Sequence, residues 1–354
     1  MSLYKIIFRG IMKEKAEKKE TQEGFMKIFA YALRPYDEQK WFTYFCEKYG
    51  IEYGYTSEYP SMENAHLAEG YEAITIITNP MYPEILERFH SLGVRYIATR
   101  SIGYDHIDMD CAKRLGMRIS HVTYSPNSVA NYTIMMMLMA CRNMKYIMEK
   151  AAVQDFSLRG KLGKELSMCT VGVVGTGRIG ETVIKHLSSF GCKLLAYDLY
   201  QKDSVKQYAT YTDLDTIYNE SDIITLHVPG SAENLHMIGK EQFAQMKDGV
   251  ILVNAARGML VDTEAMIEAL ESGKLGYAAL DTIENEAGLY YLDREGEIIG
   301  NRDLSILKGF PNVFVSPHMA FYTDQAVADM VENAVKGLMG FCLKPDEENS
   351  FEVR

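Results

Sequence analysis

Three side chains of this 354-residue chain have the types and the neighbours that chemistry asks for: Arg257 in VNAARGMLVD, Glu286 in LDTIENE and His318 in VFVSPHMAF. Each stands at or just past the end of an apolar, strand-like run, and the carboxyl ends of parallel strands are where open α/β sheets bind ligands. A guanidinium clamps a carboxylate through two parallel bonds and fixes its plane, which an ammonium does less well. A buried glutamate bonded to an imidazole favours the imidazolium and makes a proton donor that works near neutral pH. Such a set would suit reduction of a 2-keto acid, with the cation on the carboxylate and the acid at the carbonyl oxygen. The plainer alternatives are an arginine in a surface ion pair and a histidine satisfied by backbone.

A hydride carrier would be the third requirement, and it has its own signal. Gly175-Thr176-Gly177-Arg178-Ile179-Gly180 follows the strand-like VGVV and opens a helix-like stretch. In that setting the first glycine allows the tight turn, the second lets backbone approach a pyrophosphate, and the third lets helix pack on strand. The N–H groups at the helix start, around Arg178 and Ile179, then face the phosphates. Asp198 ends the next strand-like run, 21 positions after Gly177, close to the spacing of an acid that holds the adenosine ribose hydroxyls. Its charge would repel a 2′-phosphate, which favours NAD over NADP. A glycine turn followed by a helix-capping aspartate is the alternative.

These groups need a scaffold, and from Met26 the chain alternates strand-like and helix-like runs. MKIFAYAL (26–33), AITIITN (73–79) and VRYIATR (94–100) read as strands, and DEQKWFTYFCEKYG (37–50), PEILERFHSLG (83–93) and CAKRLG (111–116) as helices. Beyond the glycine motif, strands are expected at KLLAYD (193–198), DIITLHVP (222–229), VILVNAA (250–256), YAALDTI (277–283) and VFVSPH (313–318). Such alternation implies parallel sheets with helices on both faces. The fold class is α/β, with two doubly wound parallel-sheet (Rossmann-like) domains and a cleft between them. Residues 124–152, nearly free of charge until Arg142 and rich in methionine, read as one long buried helix.

Composition bounds the function. Apolar residues make up 47% and charged ones 24%, which excludes a disordered chain. A net charge of -11 argues against nucleic acid as a partner. It also means that an anionic substrate must be drawn in by local groups such as Arg257. Apolar runs such as IMMMLMA (134–140) are too short to span a bilayer. Six scattered cysteines, with no CxxC pair or zinc spacing, read as reduced thiols of a cytoplasmic protein without a metal site. Residues 1–25 lack a secretory pattern and read as a leader or tail.

RSIGYDHID (100–108), YSPNSVA (124–130), VGVVGTGRIG (171–180), LHVP (226–229), VNAARGMLVD (253–262), LDTIENE (280–286) and SPHMAFYT (316–323) together resemble the D-isomer-specific 2-hydroxyacid dehydrogenases. MKIFAYALRP and HMAFYT are most similar to lactate-forming members, including those of vancomycin-resistance clusters. The resemblance implies a substrate domain of residues 26–123 plus 322–354, with an NAD-binding domain, 124–321, inserted in it. It implies that Arg257 binds the substrate carboxylate, that His318 is the acid/base and that Glu286 tunes it. Backbone N–H groups of Ile102 and Gly103 would also hold the carboxylate, while Tyr124 and Phe321 line the substrate pocket. Asp281 would lie near the nicotinamide carboxamide, and Val228 and Pro229 along the cofactor. The expected reaction is NAD-dependent reduction of pyruvate to D-lactate by a homodimer joined through its NAD domains.

Larger 2-keto acids, of the 2-hydroxyisocaproate or phenyllactate type, are the alternative substrates, with hydroxypyruvate or phosphoglycerate types further off. Arg34 and Arg100 are the cations that would serve a phosphate. A dinucleotide-sensing corepressor is the reading from another class. The polar loop over 288–302 is longer than in many relatives.

Overall fold

The computed structural model describes residues 26–343 and 349–353; the leader or tail expected over 1–25 lies outside them. The chain divides into two compact units, one running up to Thr123 and resuming at Val327, the other spanning Tyr124–Ala326.

The first unit is built on five parallel strands, β1 (Lys27–Ala30), β2 (Glu52–Tyr55), β3 (Ala73–Ile76), β4 (Tyr96–Thr99) and β5 (Arg118–Ser120), in the order β2-β1-β3-β4-β5. Helices Gln39–Tyr49, Pro83–Ser91 and Met109–Arg114 lie between strands along the chain. The first of them stops at Gly50, whose φ of 70° is left-handed and free of strain only for glycine. The sequence pattern does not announce β2 or β5. Both are sheet edges, where side chains need not be apolar on both faces. Arg100 corrects an expectation: it is 0% exposed. Its guanidinium donates to Glu38 Oε1 (2.9 Å), Thr75 Oγ1 (3.2 Å) and the carbonyls of Tyr31 and Ala32 (3.0 Å each). A buried arginine so fully engaged is an internal fastener, and not a ligand for phosphate.

The second unit has seven parallel strands: β6 (Thr170–Val174), β7 (Lys193–Tyr197), β8 (Thr210–Tyr211), β9 (Ile223–Leu226), β10 (Val250–Asn254), β11 (Leu275–Leu280) and β12 (Val313–Val315). Their order is β12-β11-β10-β9-β6-β7-β8. The chain steps outward from β6 to β8, then crosses back to β9, so the order reverses between β6 and β9. Along β10, Val250 and Leu252 enter one apolar core, and Ile251 and Val253 enter another. Burial on both faces is why these strands read as unbroken apolar runs.

Residues 124–152 form two helices, Asn127–Cys141 and Met144–Ala152, where the sequence suggested one. The break is at Asn143, left-handed at φ 50°, whose amide donates to the Leu162 carbonyl at 2.9 Å. Asparagine tolerates that conformation better than most residues. The first helix buries Met136 and Met137, whereas the second has no buried residue. Apolar character along the whole stretch therefore overstated its burial. Among the described residues no helix is long and apolar enough to cross a membrane.

Candidate active site

Because every strand of the second sheet is parallel, the turns after β6, β9, β10, β11 and β12 all leave the same edge. Arg257, Glu286 and His318 follow β10, β11 and β12, three strands adjacent in space. The turn after β10 is shaped by Asn254, which is 1% exposed. Its Nδ2 donates to the Arg257 carbonyl (2.8 Å) and its Oδ1 accepts from the Ala256 amide (3.1 Å). A Cβ on the next residue, Gly258, would strike the Ile283 carbonyl, so the turns after β10 and β11 meet only because that residue is glycine.

His318 is the left-handed end of a short loop, at φ 54°. For a residue other than glycine that conformation costs of order 1 kcal/mol or more and persists only when surroundings enforce it. Asp281 enforces it. Fully buried at the end of β11, its carboxylate accepts from Ser316 Oγ (2.6 Å) and from the amides of Met319 and Ala320 (2.8 Å each). Its carbonyl also accepts from the His318 amide at 2.8 Å. The imidazole Nδ1 then meets Glu286 Oε1 at 2.6 Å, while Glu286 Oε2 accepts from the Ile283 amide at 3.1 Å. With Nδ1 occupied, Nε2 is the nitrogen left to serve a ligand.

The ring of Tyr291 lies 6.2 Å from the imidazole, centroid to centroid. Phe321 lies with its centroid 6.4 Å from Tyr124 and 6.2 Å from Tyr291. Burial pushes the Tyr124 hydroxyl up to about 12, against the opposing cation of Arg257 and with the charge of Asp281. Tyr124 therefore stays a neutral hydroxyl within electrostatic reach of Arg257. Ile102 and Gly103 belong to the other unit, on the turn after β4. Their carbonyls are held by His121 Nδ1 (2.9 Å) and Ser101 Oγ (2.6 Å).

The glycine motif occupies the point where strand order reverses. Gly175 has φ 94°, and a Cβ there would press on His227 and Val228 of the turn after β9. A Cβ on Gly180 would collide with the Gly175 carbonyl, whereas one on Gly177 would meet nothing. Open space over Gly177 and a tight turn beneath it leave backbone accessible to a pyrophosphate, with Arg178 and Ile179 starting the helix Arg178–Leu187. Asp198 Oδ2 accepts from the Thr176 amide (2.6 Å) and hydroxyl (3.1 Å), and Oδ1 from the Tyr200 amide (2.9 Å). Burial opposes its charge, but these bonds and nearby Lys202 outweigh it and hold the carboxyl below its ordinary value. It is an anion beside the turn, as a ribose-binding acid must be. Pro229 follows Val228, and its carbonyl accepts from Asn234 Nδ2 at 3.0 Å.

His227 sits between these parts, with Nε2 3.0 Å from Thr225 Oγ1. Burial lowers its pKa from 6.5 to about 4. Between those values the unfolded chain binds more protons, so acid costs stability. The cost is nil above pH 6.5 and reaches at most about 3 kcal/mol below pH 4. Urea titrations of His227→Gln should show a shallower loss of unfolding free energy across that window. An unchanged slope would place the acid sensitivity elsewhere.

A glycine turn at the switch point of a sheet in this order defines a dinucleotide-binding protein. Residues 134–320 match the family "D-isomer specific 2-hydroxyacid dehydrogenase, NAD binding domain". An aromatic 2-oxoacid reductase of Clostridium sporogenes is 45% identical over 322 residues, covering 90% of this chain and 97% of that protein. A D-lactate dehydrogenase of Lactiplantibacillus plantarum is 39% identical over 310 residues, 86% of this chain and 93% of its own. The solved structure of a D-2-hydroxyisocaproate dehydrogenase superposes with a TM-score of 0.82 at 37% identity, covering 93% of this chain and 99% of that one. The chain belongs to the D-isomer specific 2-hydroxyacid dehydrogenases. It is an oxidoreductase with NAD as cofactor.

Several residues that shape the site went unread, Tyr291 outside every quoted segment and the other three as unremarked members of one. Thr176 ties the glycine turn to Asp198, Asn254 shapes the Arg257 turn, and Ser316 and Tyr291 brace the His318 loop. Asn254 alone leaves a local signal: an Asx side chain bonding two residues ahead at a strand end.

Proposed function

We propose that the protein reduces 2-oxo acids to D-2-hydroxy acids with NADH, and that it prefers substrates with an aromatic side chain. The observation that carries the preference is a run of rings in contact, Tyr291 against His318, Phe321 against Tyr291 and Tyr124 against Phe321. Faces and edges of rings set at steep angles receive another aromatic ring well. The 45% identity to an aromatic 2-oxoacid reductase supports it. Reduction of pyruvate to D-lactate is the second reading, supported by the 39% identity to a D-lactate dehydrogenase.

The bound cofactor supplies a hydride for the carbonyl carbon of the oxo acid. Arg257 pairs with the substrate carboxylate and sets the plane in which the carbonyl is presented. Glu286 holds Nδ1 of the imidazole, fixing the ring and leaving Nε2 to face the substrate. His318 then gives the proton on Nε2 to the carbonyl oxygen and takes it back in the oxidative direction. Asp281 keeps the loop in register from beneath through its three bonds. Its carboxylate is engaged there, so any contact with the nicotinamide carboxamide is additional to that work.

In this reading the unit Tyr124–Ala326 binds NAD, and the unit bearing Ile102 and Gly103 binds substrate. The protein acts as a cytoplasmic homodimer. Phe156, Leu158 and Leu162, exposed by 78%, 90% and 91%, are apolar side chains of the kind a partner copy covers. All six cysteines are free thiols, which suits a reducing compartment.

Steady-state reduction of phenylpyruvate, 4-methyl-2-oxopentanoate and pyruvate with NADH tests the preference. We expect kcat/KM for phenylpyruvate to exceed that for pyruvate by about tenfold or more, since each methylene of fit is worth roughly 1–3 kcal/mol. The reverse order would establish the lactate reading instead. No turnover of any of the three would overturn both.

A further inference from the structure

The loop between β11 and the helix Arg302–Gly309 grips the catalytic histidine at two points. One is Glu286 on the ring. The other is Tyr291, whose hydroxyl donates to the carbonyl oxygen of His318 at 2.9 Å. The tyrosine ring also lies 6.2 Å from the imidazole, tilted by 42°, and meets Phe321 edge to face at 86°. Its backbone is left-handed at φ 66°, an uncommon conformation for an aromatic residue. Strain at such a residue persists only where the surrounding structure holds it.

The loop is built to hold it. Leu289 and Tyr290 pack against the apolar core, anchoring the chain just before Tyr291. Arg294 Nη1 donates to the Gly288 carbonyl at 3.0 Å, closing the turn that contains the tyrosine. Asn301 Nδ2 reaches the Asn285 carbonyl at 3.4 Å, drawing the two ends of the loop together. The tyrosine itself remains 41% exposed, so its ring offers surface to a ligand while its hydroxyl is committed to the histidine backbone.

We propose that Tyr291 is a positioning residue for proton transfer at His318 and, through its ring, a selector of the substrate side chain. The inference rests on the assignment of His318 as the acid. Without the bond from Tyr291, the His318 carbonyl loses a side-chain brace. The left-handed residue can then rotate, and the imidazole moves relative to the carbonyl it must protonate. Small displacements of that kind are expensive in rate. The ring works separately: with Phe321 it forms a corner of two aromatic surfaces, which favours flat side chains over a methyl group.

The two roles separate in two variants. Tyr291→Phe keeps the ring and loses the hydroxyl, so kcat should fall about tenfold for every 2-oxo acid, with KM and the ratio of phenylpyruvate to pyruvate efficiency little changed. Tyr291→Ala loses both, and that ratio should fall by a further factor of about ten. Affinity for NADH should stay within about twofold in either variant, which a general loosening of the unit would not allow. A readout independent of turnover is the downfield proton of the His318–Glu286 bond, assigned by its loss in His318→Asn. It should exchange with water faster in Tyr291→Phe than in the wild type. Unchanged kcat and unchanged exchange in Tyr291→Phe would overturn the positioning role, and an unchanged ratio in Tyr291→Ala would overturn the selecting one. Failure of the wild type to reduce any 2-oxo acid would instead overturn the proposed reaction, and the exchange measurement would still decide whether Tyr291 holds His318.

Discussion

His318→Asn is expected to lower kcat for 2-oxo acid reduction by roughly a thousandfold while leaving NADH affinity unchanged, because a positioned general acid contributes about 10²–10⁴. The choice of asparagine follows from the backbone. Position 318 has φ 54°, which asparagine enters readily and a β-branched residue does not. Its amide can still donate to Glu286, so that no half-buried carboxylate is stranded. A large loss in this variant therefore reports missing proton transfer, with strain and stranded charge both controlled. Single-turnover oxidation of bound NADH makes the measurement. A rate within tenfold of the wild type would remove His318 from the chemistry.

Arg257→Gln carries the second large effect. Its carboxylate partner would enter the site still charged and find no cation, a loss that typically costs about 2–5 kcal/mol when one member of a hydrogen-bonded charge pair is removed. We expect kcat/KM to fall by about 10³, mostly through KM, with NADH binding intact. Asn254 holds the turn through the Ala256 amide and Arg257 carbonyl, so the backbone should survive the change. Arg257→Lys should recover only part of the loss, because an ammonium is a point charge and cannot form two parallel bonds. Weakened NADH affinity with an unaltered KM for the oxo acid would place Arg257 at the cofactor and not at the substrate.

How much of this was legible beforehand depended on whether a residue belongs to a pattern. Central strands such as β9 and β10 are apolar on both faces, and both stand out in the sequence. β2, β5 and β8 do not; each is an edge of its sheet, and β8 is only two residues long. The glycine motif was visible because three glycines answer to one geometric demand. Asn143 ended a helix through a single left-handed residue, which periodicity has no means to register. Bracing residues were the least visible. Ser316 and Tyr291 reach Asp281 and His318 across 35 and 27 positions of sequence, and a polar residue in a loop looks the same whether or not such a partner exists. Arg100 shows the converse: an arginine beside a motif looked available for a ligand and is wholly used inside the fold.

The candidate acid, its carboxylate partner and the arginine each sit on a separate connection, after β12, β11 and β10. None of the three elements has to lengthen or shorten when another does. Outside Tyr291, the segment after Glu286 can therefore gain, lose or exchange residues in the course of descent while the sheet and that one tyrosine keep the reacting groups in place. Diversification of substrate within such a lineage needs no reinvention of the reaction, only the rewriting of one surface loop.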